Sequence, residues 1–261
     1  MARSYVVTGA ASGIGEATYK LLTERGNRVI GVDIHHSDVN VDLSTPKGRR
    51  DGFCTVIDLS QGQIDAVVAC AGLAEPTPLT VSVNFFGVTE FLEGLLPTLT
   101  RSSCPRVAVT SSMAALSANS PALVKAMLAD DEKLALDIAQ GLCDEGENRA
   151  ALIYSSTKQA LSRWVRRECI KPVWAGAGIP LNAVGPGIVE TSMVEEMIGS
   201  AAGRAAIDLV VPMPLHHYMK PIQVGYLLAW LTSEENTHTT GQTIYIDGGA
   251  DAVLRGDNIW A

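Results

Sequence analysis

The chain has 261 residues, 47% of them hydrophobic, enough for a large buried core, which excludes a disordered tail or a disulfide-stapled miniprotein. Its 20 Lys and Arg stand against 28 Asp and Glu, a formal net charge of −8, so nucleic acid and anionic membrane surfaces are poor partners. Charged residues make up 18% of the chain, below the usual quarter, which points to surface covered by another subunit or by an apolar ligand.

Strand-length apolar runs recur at 5–8, 28–32, 39–41, 65–69, 106–110, 180–184 and 243–246. Helical segments are predicted between them at 13–24, 45–59, 81–99, 157–175 and 221–231, the last opened by Pro221. This alternation predicts an α/β fold with a seven-stranded parallel sheet flanked by helices. No Gly/Ser-rich linker divides the chain, so a single domain over 1–261 is expected. Two stretches break the pattern. Residues 114–149 hold no strand but read as a helical insertion with helices at 121–129 and 131–142, the second carrying Leu134, Ile138 and Leu142 at helical spacing. Residues 188–220, rich in Met, Ala and Pro without a clear period, are expected to form a substrate-binding loop.

The five scattered cysteines form no metal-ligand pattern and read as reduced core residues. The N-terminus runs at once into a strand, without a signal peptide, and no uninterrupted apolar run reaches the roughly 18 residues of a membrane span. A soluble, cytoplasmic protein without membrane partners is expected. The doublets His35-His36 and His216-His217 lack ligand partners, so no metal is predicted.

After the first strand stands Thr8-Gly9-Ala10-Ala11-Ser12-Gly13-Ile14-Gly15. Glycines there permit positive φ and remove the Cβ atoms that would keep a pyrophosphate from amide donors at a helix N-terminus. The second strand ends Gly31-Val32-Asp33, about 20 positions further on, where a carboxylate accepts from both adenosine ribose hydroxyls and repels a 2′-phosphate. Neither Ser12 nor Ile34 supplies a cation for such a phosphate, so NAD(H) is expected over NADP(H). At Val41-Asp42-Leu43 a backbone and carboxylate reach the adenine, or Asp42 simply caps the next turn.

Tyr154 and Lys158 are four residues apart at the start of a predicted helix and share a face. A phenol with a pKa of about 10 is a poor base at neutral pH, but a neighbouring ammonium and a cationic nicotinamide favour phenolate. Upstream, Thr110-Ser111-Ser112-Met113 brings hydroxyls to the carboxyl edge of the sheet, where Ser112 can donate to a substrate oxygen. Met193, Met197, Met213 and Met219 suit an adaptable apolar pocket or fill the core.

In this order, the TGxxxGxG turn, Val83-Asn84-Phe85-Phe86-Gly87, Ser112, Tyr154-Ser155-Ser156-Thr157-Lys158 and Asn182-Ala183-Val184-Gly185-Pro186-Gly187 followed by Thr191 resemble the short-chain dehydrogenase/reductase family over essentially the whole chain. The resemblance implies a doubly wound Rossmann fold and a tetrad of Asn84, Ser112, Tyr154 and Lys158. In it Tyr154 exchanges the proton, Lys158 lowers its pKa and binds the nicotinamide ribose, Ser112 positions the substrate oxygen and Asn84 holds a water. It implies cofactor contacts at Gly9, Ser12, Gly13, Ile14, Gly15, Asp33, Ile34, Asp42, Leu43, Ala71, Gly72, Pro186, Gly187, Ile188 and Thr191, with substrate beside Ser112, Met113, Tyr154, Met193 and Met197.

Three departures stand out. Ala69-Cys70-Ala71-Gly72 replaces the usual Asn-Asn-Ala-Gly, the interval from Asp33 to Asp42 is too short for a crossover helix, and Ser112 and Tyr154 are 42 positions apart. With Val32-Asp33-Ile34, Val41-Asp42-Leu43-Ser44-Thr45 and Asp247-Gly248-Gly249, these resemble the bacterial 3α-hydroxysteroid dehydrogenase/carbonyl reductase branch of the family. That branch implies NAD-linked interconversion of a ring secondary alcohol and a ketone in an apolar pocket, and a homodimer in which the insertion covers a tetramer-forming helix face. Smaller alicyclic, terpenoid or aryl alcohols need the same chemistry. A non-catalytic NAD-sensing protein does not explain the intact tetrad, nor does an S-adenosylmethionine methyltransferase explain the Tyr–Lys pair.

Overall fold

The computed structural model describes residues 2–259, without the side chains of Glu196 and Met197, so the expectation for Met197 lies outside the described residues. Seven strands, β1 (Ser4–Thr8), β2 (Arg28–Asp33), β3 (Val39–Asn40), β4 (Ala66–Ala69), β5 (Arg106–Thr110), β6 (Leu181–Pro186) and β7 (Thr243–Ile246), form one parallel sheet in the order β3-β2-β1-β4-β5-β6-β7. The chain winds outward from β1 to β3 and returns to β4 on the other side of β1. Thr8 therefore lies between Val32 and Ala69, and the crevice beyond β1 and β4 is where such sheets bind ligands.

Successive strand residues point to opposite faces, and both faces are apolar. Val6, Val67, Val107 and Val109 pack in one cluster with Phe91, Leu92 and Leu161; Val7, Val68 and Val184 pack in the other with Leu22, Val224 and Leu228. Burial of each such side chain contributes about 1.5–3 kcal/mol. The first cluster takes α2 (Pro46–Ser60), α4 (Gly87–Leu99) and α8 (Leu152–Glu168), and the second α1 (Gly13–Glu24) and α11 (Pro221–Leu231).

Several boundaries differ from expectation. The helix expected at 81–99 is α3 (Pro78–Val81), a π-helical segment Ser82–Phe86 and then α4. The stretch Pro78–Leu99 is long and apolar enough to cross a bilayer, but 67% of its most apolar window is buried inside the fold, as a core helix requires. The helix expected at 157–175 is α8, which begins earlier because α7 (Glu147–Ala150) runs into it through a helical Ala151. It stops short because Pro172 has no N–H for a continuing helix and Trp174 folds back edge-on against Trp164, 5.9 Å between ring centroids.

The insertion contains α5 (Pro121–Leu128) and α6 (Glu132–Asp144), close to their expected positions. Ser120 Oγ accepts from Leu123 N at 3.4 Å and Asp131 Oδ1 from Leu134 N at 3.0 Å, capping the two helices. The buried stripe of α6 is Ala135, Ala139 and Leu142, whereas Leu134 faces solvent. Within 188–220 two helices replace the expected irregular loop, α9 (Ser192–Ile198) and α10 (Ala201–Val210). Alanine propensity and the Ser200 cap on Gly203 N make α10 helical, and none of its residues is buried. A last helix, α12 (Ala250–Arg255), follows β7. All five cysteines are free; Cys169 is buried, but Cys54 is exposed, so they are not uniformly core residues.

Candidate active site

The turn after β1 is dictated by close backbone approach. Gly9 (φ 69°) and Gly13 (φ 54°) lie in the left-handed region, and a Cβ on Gly9 would stand 2.8 Å from Ala71 N. A Cβ on Gly15 would stand 2.0 Å from Gly9 O. Thr8 Oγ1 accepts from Cys70 N and Ala71 N, both at 3.1 Å, locking the end of β4 to the turn. The Ser12 side chain caps no amide of α1, so the first-turn N–H groups of Gly13, Ile14 and Gly15 are left for a ligand at the positive end of the helix. The Asp33 carboxylate accepts from Ala11 N (3.0 Å) and Ile34 N (2.7 Å), which fixes a negative charge at the mouth of this cradle. Ile34 is exposed beside it. These features fit the pyrophosphate and unphosphorylated ribose of NAD(H).

Asp42 Oδ1 accepts from Ser44 N at 2.8 Å, so this carboxylate does cap its turn. Leu43 is buried in the core, so what it can offer a ligand is its main chain.

At the carboxyl edge of the sheet the end of β4, the π-helical segment and α8 converge. A Cβ on Gly72 would lie 3.2 Å from Asn84 Oδ1, so that Asn84 would have to give, and 3.6 Å from Lys158 Nζ, in ordinary contact. Asn84 is fully buried; its Oδ1 accepts from Leu73 N (2.8 Å) and its Nδ2 donates to Leu73 O (2.9 Å) and Thr157 Oγ1 (3.2 Å). Lys158 Nζ donates to Thr110 O at 2.9 Å and lies 5.7 Å from the Tyr154 ring centroid. Burial lowers Lys158 from 10.5 to about 8, and the neighbouring Cys70 opposes this. Burial also raises the Tyr154 phenol, opposed by the Ser112 hydroxyl. Cys70, where the family usually has asparagine, is pushed up to about 11 by burial and lies 3.1 Å from Thr110 Oγ1.

The two serines after β5 have different tasks. Ser111 is buried and donates to Lys158 O and shares a hydrogen bond with Ser162, so it ties the strand to α8. Ser112 Oγ accepts from Ala114 N at 3.1 Å, which leaves its O–H for another acceptor. Between Tyr154 and Lys158, Ser155 Oγ donates to Ala118 O, Ser156 Oγ accepts from Ser120 N, and Thr157 receives Asn84. The insertion is thus stitched to the helix that carries the Tyr–Lys pair. Thr110, Ser111 and Thr157 stand in the motifs read from the sequence, which assign a role there only to Ser112, Tyr154 and Lys158.

Pro186 ends β6 and Gly187 N donates to Ile246 O at 2.9 Å. Ile188 buries its side chain, so any contact it makes with a carboxamide is through the main chain. Thr191 stands over the glycine turn, 3.3 Å from where a Gly13 Cβ would be. Met113, Met213 and Met219 are buried in the second core cluster, while Met193 is exposed on α9. Among the described residues no group of three or more His, Cys, Asp or Glu could hold a metal ion.

A family model described as enoyl-(acyl carrier protein) reductase matches residues 9–251. The 3-alpha-hydroxysteroid dehydrogenase/carbonyl reductase of Comamonas testosteroni is 34% identical over 255 residues, 96% of this chain and 97% of the relative. The chain belongs to the short-chain dehydrogenase/reductase family. Among solved members of this family, the 3-alpha-hydroxysteroid dehydrogenase from Pseudomonas sp. B-0831 complexed with NADH superposes with a TM-score of 0.87 at 34% identity, covering 98% of this chain and 100% of that one. The cis-4-hydroxycyclohexanecarboxylate dehydrogenase of Sinomonas cyclohexanicum is 27% identical over 266 residues, 96% of this chain and 97% of the relative. As a member of this short-chain dehydrogenase/reductase family the chain is an oxidoreductase.

Proposed function

We propose that the chain interconverts a secondary alcohol and a ketone on an apolar cyclic substrate of the 3α-hydroxysteroid type, with Tyr154 as acid and base. The observation that carries this reading is the convergence of Asn84, Lys158 and the Tyr154 phenol, with Ser112 beside it, at the carboxyl edge of β4 and β5. Bound NAD(H) supplies the hydride acceptor or donor. In the reducing direction the buried, protonated phenol of Tyr154 donates its proton to the carbonyl oxygen while Ser112 O–H holds that oxygen. In the oxidising direction the Lys158 ammonium, near the Tyr154 ring, favours the phenolate that takes the proton. Asn84, held by Leu73 and Thr157, holds a water in the proton relay.

Gly9 to Gly15, Asp33, Asp42, the main chain of Leu43, Ala71-Gly72 and Pro186 to Thr191 bind the cofactor in this reading. The helices of 188–220 cover the substrate, with Met193 facing it. The free cysteines suit a reducing compartment, and the proposed location is the cytoplasm. A smaller alicyclic alcohol is the second reading, favoured by the likeness to a hydroxycyclohexanecarboxylate dehydrogenase. The test is NAD+ reduction across steroids, monoterpenols and alicyclic and aryl secondary alcohols. Turnover of 3α-hydroxysteroids supports the first reading, and steroid inertness with a small alcohol turned over overturns it in favour of the second.

A further inference from the structure

Arg49 of α2 has no exposed surface, and three separate segments share its guanidinium. Nε donates to Leu43 O at 2.9 Å, and Nη2 to Ser44 O at 3.0 Å and more weakly to Ser82 O at 3.4 Å. Nη1 and Nη2 fork onto the two oxygens of Glu132 at 2.8 and 2.5 Å, and Nη1 also reaches Glu90 at 2.9 Å. The Phe86 ring centroid lies 5.8 Å away. Glu132 opens α6, so the insertion reaches across the molecule to the turn after β3.

The arrangement does more than neutralise charge. A fork onto one carboxylate fixes the plane of the guanidinium as well as its position. With the plane fixed, its other donors hold the Leu43 and Ser44 carbonyls in one place. Gly48 makes the contact tighter still: a Cβ there would lie 1.9 Å from Asp42 O, so the first turn of α2 packs directly on the same turn.

We propose that Arg49, clamped by Glu132, is a positioning residue for the adenosine half of the cofactor, so that the 114–149 insertion sets cofactor affinity. The proposal rests on the reading that Asp42 and the Leu43 main chain form the adenine edge. It is tested on the full-length chain with Glu132→Ala, Glu132→Gln and Arg49→Lys, by calorimetric titration with NAD+ and with ADP-ribose as the adenosine-side probe. Glu132→Ala is expected to weaken both ligands by the same factor, about tenfold, the lower end of what losing a group that orients a metal ligand costs. The KM for NAD+ rises accordingly and by more than kcat falls, and Glu132→Gln, which keeps one acceptor oxygen, recovers part of the loss. If Arg49→Lys fails to fold, Glu132→Ala, at a side chain 21% exposed, still decides. Both dissociation constants unchanged below a lowered melting temperature would mean a structural tie alone and would overturn the proposal. Asp42→Ala separates the two layers: if it weakens ADP-ribose and Glu132→Ala does not, the clamp fails alone. If Asp42→Ala leaves ADP-ribose binding untouched, the adenine-edge reading fails and takes the clamp with it.

Discussion

Tyr154 and Lys158 are displaced from their ordinary acidities by the same cause, removal from water, and in opposite senses. Tyr154→Phe deletes the transferable proton and leaves the ring. We expect kcat to fall by about 10²–10⁴ with the dissociation constant for NAD+ within about twofold of wild type; unchanged turnover would remove Tyr154 from the chemistry. Lys158 carries a stability signature of its own. Below pH 8 it is charged in both the folded and the unfolded chain, and the folded state bears the cost of burying the charge. Between about 8 and 10.5 the unfolded chain binds more protons than the folded one, so stability rises with pH. Relative to Lys158→Met, which has no such group, the cofactor-free wild type should gain about 3 kcal/mol across that window in urea unfolding. A pH-independent difference would mean that Lys158 is not desolvated. At the other end of the cradle, the Asp33 carboxylate accepts from Ala11 N, and in the proposed reading it repels a 2′-phosphate. Asp33→Ser should lower the NAD+ over NADP+ preference in kcat/KM by at least about tenfold, and an unchanged ratio would place the discrimination elsewhere.

Elements were legible from sequence in proportion to how locally their cause is written. The glycine turn was legible because the residues that must lack a side chain are consecutive and the obstacle, the end of β4, is set by strand pairing. Gly9→Ala is accordingly expected to cost about 1–3 kcal/mol from its positive φ, before the contact with Ala71 N is counted, measurable by denaturant unfolding and by loss of NAD+ binding. The four residues proposed as a tetrad can be named as a set from the sequence, but the reasons they stand still cannot. Asn84 sits in a π-helical segment whose widened hydrogen-bonding has no residue signature, and its partner Leu73 is eleven positions upstream in a loop. The ends of α8 differ from the sequence expectation because its start depends on α7 docking ahead of it. Arg49 left no mark at all, since its carboxylate partners lie 41 and 83 positions away.

At the scale of the whole molecule, the low charged fraction has two places to come from. On one flank the insertion buries Leu123, Val124 and Met127 in the same cluster as Ile153, Leu161 and Trp164 of α8, closing that helix face to a partner. On the opposite face of the sheet, α11 presents Tyr226 and Trp230, 53% and 39% exposed and four residues apart, so both large side chains lie on one outward stripe. A two-fold axis past α11 would pair the stripe with itself and cover both aromatics. The expected assembly is a homodimer through this face, with a solution mass by light scattering of about twice the 27.6 kDa of one chain. Trp230→Asp should shift it to monomer at micromolar concentration, whereas Leu134→Asp, exposed on the insertion, should not. A tetramer in the wild type would show that the insertion does not close its flank, and a Trp230→Asp chain that stayed dimeric would move the interface away from α11.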